Sequence, residues 1–237
     1  GGAAQLGQGG AGGARADGGA GGAGGAVVVD EAPTARFALA ESPATTRLGA
    51  IPFPHDVYRT PDGRLDLSGV REVGIAPAVR NIVDAIEADT PGFGTSSGFF
   101  MSFEGQLGTA GLPADGAASL TEGASLFLVG VDPNSEERGQ RWPISWRYEA
   151  AETKYLPAHS LKIRLVEGFA LRGDTTYALV VTAAVAEPSD DFSQTLADSD
   201  PGGRLSTAWQ AHAPLRAWLA DHPEVTPAAA AVFTTQD

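Results

Sequence analysis

The hydrophobic period changes along the chain, and each change marks a part of the fold. From Phe99 onward apolar and polar side chains alternate, and residues 99–103, 125–131, 144–148, 161–165 and 175–185 read as strands. In 161–165, Leu161, Ile163 and Leu165 point one way and Lys162 and Arg164 the other, the pattern of a strand covered on one face. Ile144, Trp146 and Tyr148 repeat it. Residues 175–185 (TTYALVVTAAV) are apolar on both faces and read as a central strand. Turn chemistry separates the runs at Asp132-Pro-Asn134, Glu167-Gly168 and Arg172-Gly-Asp174. A β-branched run at 231–235 reads as the closing strand, and a short strand is expected at 36–39.

Two stretches carry a helical period. In 78–88, Val79, Ile82, Val83 and Ile86 fall at i, i+3, i+4 and i+7, with Pro77 near the first turn and Thr90-Pro-Gly92 ending the helix. In 205–221, Leu205, Trp209, Leu215, Trp218 and Leu219 share a face, with Pro214 starting or kinking the second half. Upstream, Asp62-Gly63 makes a hairpin turn before Arg64-Leu-Asp-Leu67. Several short strands with turns between them predict a mainly β, two-sheet sandwich over residues 36–237, with two or three peripheral helices.

Residues 1–35 belong to none of this. Half of the first twenty-six are Gly and most of the rest Ala. Such a stretch buries almost nothing to offset roughly 1–2 kcal/mol of backbone entropy per ordered residue, and it reads as a disordered tether.

Charge and composition narrow the function. With 29 acidic against 16 basic residues the net charge is −13, which argues against nucleic acid and against an anionic membrane surface. The chain has no Cys, so disulfides, Cys-ligated zinc and thiol catalysis are excluded. No apolar run approaches the roughly 18 residues of a membrane span. A Gly start followed by a Gly/Ala tether fits a mature exported protein or lipoprotein, secreted or on the cell surface, with a lipid anchor possible upstream.

Candidate chemistry is sparse. Gly94-Thr95-Ser96-Ser97-Gly98 matches the G-x-S-x-G nucleophile elbow, but that motif needs a core strand before it and a helix after it; here Thr90-Pro-Gly-Phe precedes and an extended run follows. His159, His212 and His222 read as surface or packing residues. His55 and Asp56 are adjacent, and in extended chain they point to opposite faces, against a shared metal. Asp132-Pro-Asn134-Ser-Glu136 opens like a calcium loop, but Glu137 and Pro143 stand at its sixth and twelfth positions, which rules out an EF-hand. The acidic loop with Asp190, Asp191, Asp198 and Asp200 is the candidate calcium site through oxygen ligands; no other cofactor is expected. Among clustered aromatic residues, Trp146 and Tyr148 read as core, while Trp142 and Tyr155 are the candidate ligand-binding residues, a stacking face for sugars.

Ile51-Pro-Phe-Pro-His-Asp-Val-Tyr58 with Asp62-Gly63-Arg-Leu65 resembles the Ile-Pro-Phe-Pro-Asn-Asp and Asp-Gly-Thr-Leu opening of the N-terminal domain of bacterial virulence-factor-type lipases. Thr90-Pro-Gly-Phe93, Ala124-Ser-Leu-Phe-Leu-Val-Gly-Val-Asp132, Leu171-Arg-Gly-Asp-Thr-Thr-Tyr-Ala-Leu-Val-Val-Thr182 and the strand at 231–235 are similar to later segments of that domain, so the likeness covers residues 50–236. His55 stands where Asn is usual, and Pro91-Gly92 replaces an Asp-Gly pair. The resemblance implies an Ig-like accessory domain preceding an α/β-hydrolase domain absent from this chain, and none of the matched residues is catalytic in the family. The functional expectation is therefore a non-catalytic module that positions or shields a neighbouring lipase/esterase domain of the same polypeptide. The alternative is a surface adhesion or glycan/protein-binding module.

Overall fold

The computed structural model describes residues 32–42, 45–71 and 77–237. The expected tether falls almost wholly outside them. Among the described residues the chain is mostly β, in two four-stranded antiparallel sheets with a few helices. The first sheet runs in the order β1 (Thr34–Ala35), β2 (Phe99–Glu104), β6 (Ser160–Leu165), β5 (Ile144–Glu149). The second runs β4 (Arg141–Trp142), β3 (Leu126–Gly130), β7 (Thr176–Thr182), β8 (Pro227–Thr234). The helices are α1 (Ser68–Arg71), α2 (Pro77–Asp89), α3 (Asp190–Thr195), α4 (Ser206–Ala211) and α5 (Ala213–Ala220).

The two sheets differ in burial because their sequences differ in period. In β6, Leu161, Ile163 and Leu165 are buried while Lys162 and Arg164 turn to solvent, so the first sheet has one wet face. In the second sheet β3 and the centre of β7 are buried on both faces. One face carries Phe233, which meets Phe99 of the first sheet at 5.4 Å between ring centroids. The other carries Phe127, which meets Trp218 of α5 at 6.0 Å. Strand residues alternate between faces, so the second sheet is a middle layer between the first sheet and α5. In β8, Ala228 to Ala231 are fully buried beside β7, where small side chains let the layers approach.

Four local expectations are corrected. Thr34 and Ala35, assigned by composition to the tether, are the residues that pair with Glu104 and Phe103 of β2. The expected strand at 36–39 does not form, although Phe37 and Leu39 are buried. The stretch from Asp190 to Thr195 is a helix rather than a loop, because Ser189 accepts the Phe192 N–H as N-cap and Asp190 and Asp191 sit in the favourable first turn. In α2, Val83 is buried and Ile86 packs on the core, but Ile82 is 59% exposed. At 3.6 residues per turn Ile82 lies about 100° around the helix from Val83, outside the covered stripe. The side chain of Val79 lies outside the described residues. The 205–221 stretch is interrupted at His212, and Pro214 lies in the first turn of α5.

The contrast between middle layer and rim is measurable. Leu179→Ala, in the centre of β7, should lower the unfolding free energy by about 2–5 kcal/mol in a urea titration, whereas Ile82→Ala should change it by less than about 0.5 kcal/mol.

Candidate functional site

The stretch from Phe53 to Tyr58 carries three buried groups with shifted protonation, His55, Asp56 and Tyr58. Phe53 exchanges backbone hydrogen bonds with Phe100 of β2 (2.9 and 2.8 Å), after which a 3-10 turn (Asp56–Tyr58) begins. His55 caps that turn: its Nδ1 accepts the Val57 N–H at 3.1 Å. Nδ1 being an acceptor, the neutral ring carries its proton on Nε2, which lies 3.0 Å from Nε2 of His212. His212 accepts there, so its own proton is on Nδ1 and is donated to Thr195 Oγ1 at 2.7 Å, and Thr195 donates in turn to the Phe192 carbonyl at 2.7 Å. One direction runs through the whole chain of bonds. Phe37 and Phe192 flank the two rings, with centroids 5.5–5.7 Å from each histidine they contact.

Both histidines are fully buried. Burial pushes His55 down to about 3. It holds His212 well below 6.5, with the neighbouring His55 and then Arg216 adding to the effect. Neither ring has a free lone pair, so neither can accept a substrate proton while the network stands.

Asp56 faces the other way. Its Oδ1 accepts the Thr234 N–H at 2.9 Å, its Oδ2 accepts the Thr234 hydroxyl at 2.7 Å, and Arg59 lies 3.8 Å away. Burial raises its carboxyl above the ordinary value, against these hydrogen bonds and the Arg59 charge. It sits in a cleft of about 610 Å³ lined also by Arg59, Thr60, Asp66, Thr207 and Gln210. Its oxygens are committed to the edge of β8, and Arg59 is spent on Asp56 and on the carbonyls of Gly63 and Pro91. A buried Tyr177 hydroxyl donates to Glu137 at 2.8 Å and accepts the Arg172 N–H at 2.9 Å. Burial, followed by the bond to Glu137, raises its phenol.

The residues singled out by sequence fare differently. Trp142 is only 5% exposed, edge-on to Tyr177 at 5.0 Å, and so offers no stacking face; the polar neighbours in sequence lie on the opposite side of β4. Tyr155 is 41% exposed on a loop. The four aspartates do not converge. Asp191 is bound by Arg204 through both oxygens at 2.6 and 2.8 Å, and Asp200 accepts from Gly202 N–H and the Ser206 hydroxyl. Asp190 opens α3. No group of three or more His, Cys, Asp or Glu placed to hold a metal occurs among the described residues. Ser96 lies in a turn closed by Ser97 N–H to Gly94 O, with β2 following it rather than a helix. The Asp132 carboxylate closes its own turn on the Asn134 and Thr176 amides. His159 is bound to the Tyr148 hydroxyl at 2.7 Å, and His222 stacks on Trp218.

Sequence reasoning missed the His55–His212 pair because 157 residues separate its members. A signal existed for one half: His212 falls at i+7 from Leu205 and three residues before Leu215, on the apolar face of the last helices. No family model, curated protein or solved structure matches the chain.

The pair has a pH signature. Both folded values lie below the unfolded 6.5, so the unfolded chain binds protons first, and stability is lost as pH falls from about 6.5 toward 3. The slope should approach roughly 1.4 kcal/mol per pH unit for each histidine. Asp56 acts oppositely: its raised carboxyl favours the folded state while protonated and loses that advantage as pH rises above 3.8. Comparing wild type with a His55→Asn/His212→Leu variant cancels the Asp56 contribution. Urea titrations from pH 7 to 4 should give a shallower loss in the variant; equal slopes would refute the assignment.

Proposed function

We propose that the chain is a non-catalytic, Ig-like accessory module of an exported bacterial protein, one that positions or shields a lipase/esterase domain of the same polypeptide. The observation that carries the non-catalytic part is the fate of its buried histidine, aspartate and tyrosine groups with shifted protonation. His55, His212, Asp56, Tyr58 and Tyr177 are each engaged by another group of the protein, and each bond fastens one element to another. A catalytic acid or base needs a free position facing a cleft.

Two features support the Ig-like part. Taken in chain order as A, B, C, C′, D, E, F and G, the eight strands fall into sheets A-B-E-D and C′-C-F-G, the arrangement of Ig-like sandwiches. The Tyr177 hydroxyl, near the start of β7, bonds back to the Arg172 amide, which matches the tyrosine corner at the start of strand F. The absence of Cys and of a Trp on β3 departs from antibody-type domains. The link to a hydrolase rests on the resemblance through Ile51-Pro-Phe-Pro-His-Asp56, and the structural employment of Phe53, His55 and Asp56 suits a motif kept for folding. The alternative, a surface module binding glycan or protein, is favoured by the exposed Tyr155 ring.

Two measurements test the first reading. The coding sequence around this segment should encode an α/β-hydrolase domain in the same frame. The chain by itself should hydrolyse short-chain p-nitrophenyl esters no faster than buffer; turnover that disappears on Ser96→Ala would overturn the non-catalytic assignment.

A further inference from the structure

Six basic side chains of this acidic protein are neutralised at home. Arg59, Arg64, Arg138, Lys162, Arg164 and Arg204 each lie within 4.0 Å of a carboxylate. One groove collects basic side chains that have no ion pair of their own among the described residues. It has a volume of about 540 Å³, within the range of small-ligand sites, and is lined by Arg36, Arg47, Glu152, Lys154, Tyr155 and Pro157 among others. Arg47 and Lys154 have no ion pair among the described residues, and Arg36 spends only its Nε, on the Phe103 carbonyl at 3.3 Å. Three cations therefore face one carboxylate in a chain whose net charge is −13. Tyr155 lies at the same place, 41% exposed, with the Lys154 ammonium 5.4 Å from its ring centroid.

The groove is held in shape before any ligand arrives. Gly49, at φ +86°, lies so close to Pro157 that a Cβ would come within 2.5 Å of the proline ring, so the two loops lock together. The Thr153 hydroxyl accepts the N–H groups of Tyr155 and Leu156 at 3.3 and 3.0 Å, and Thr153 N–H donates to Leu156 O at 2.9 Å. Arg36 is anchored by its own N–H to Ser102 O at 2.8 Å. A preformed site loses less freedom on binding.

We propose that this groove binds an acidic saccharide, a chain of sugar rings bearing carboxylates. The C–H-lined face of a pyranose is apolar and suits the flat Tyr155 ring, while ring carboxylates suit Arg47, Arg36 and Lys154. This inference deepens the surface-binding reading and needs no attached hydrolase.

Isothermal titration of the full chain at low salt, with a galacturonate hexamer, neutral maltohexaose and hexaglutamate, tests it. The galacturonate hexamer should bind, and the other two should bind at least about tenfold more weakly. Arg47→Ala and Tyr155→Ala should each weaken binding by about tenfold, and Tyr155→Phe, which keeps the ring, should bind as wild type. The replaced side chains are exposed, and unchanged thermal melting of each variant checks that the fold is intact. No binding of galacturonate, equal binding of hexaglutamate, or indifference to both alanine variants would overturn the proposal. Failure here leaves the ester-hydrolysis test of the accessory reading untouched, because the two read different properties.

Discussion

With the Val57 N–H pointed at its Nδ1, the His55 ring has one proton left to place, and it goes to Nε2, 3.0 Å from His212. That choice propagates: His212 must present a bare Nε2, so its proton goes to Thr195, and Thr195 must donate onward to Phe192. Each step is forced because all of these groups are out of reach of water, and a buried polar atom left without a partner costs about 1–3 kcal/mol. The turn at Asp56–Tyr58, α3 and the α4–α5 junction consequently have one mutual arrangement that pairs every group in this chain of bonds. Apolar packing alone would tolerate small slides among these short elements. A directed chain of hydrogen bonds does not.

The same rule governs the edge of the second sheet. β8 has β7 on one side only, and its Thr234 N–H points outward. Asp56 closes it with both carboxylate oxygens, and Phe93 continues the cover by exchanging bonds with Thr234 and Gln236. An edge strand of buried alanines without such a cover would be open to pairing with another chain. His55 and Asp56, neighbours in sequence, thus fasten the helical layer and the sheet edge from one short turn. Tyr177 does comparable work at the start of β7, holding the loop at Arg172 and the turn at Glu137.

How much of this was legible depends on the range of the interaction. Alternation placed β5 and β6, and apolar runs between turn signals placed β2, β3, β7 and β8, within a few residues. The helices were harder. Ile82 satisfies the amphipathic spacing and still faces solvent, since the pattern gives a stripe but not the width of the surface that covers it. Trp142 looked exposed beside Arg141 and Pro143, yet β4 turns it under Tyr177. The acidic run looked like one unit and is divided among a helix start, an arginine and a turn. Contacts between residues 157 or 178 apart, those of His55 and Asp56, have no local signature at all. They follow from topology.

Function inherits this division. The buried histidine, aspartate and tyrosine groups with shifted protonation are each consumed in holding one part of the chain to another. What is unspent lies at the surface. Acids outnumber bases 29 to 16, and six of the bases sit beside an acid, so the net field of the protein is negative. A groove in which Arg36, Arg47 and Lys154 meet a single glutamate runs against that field. Holding unpaired like charges together costs electrostatic energy in the free protein, and that cost is relieved when an anion enters. The greatest relief comes from a ligand whose carboxylates are spaced along the groove and whose remaining surface is apolar enough to lie on Tyr155.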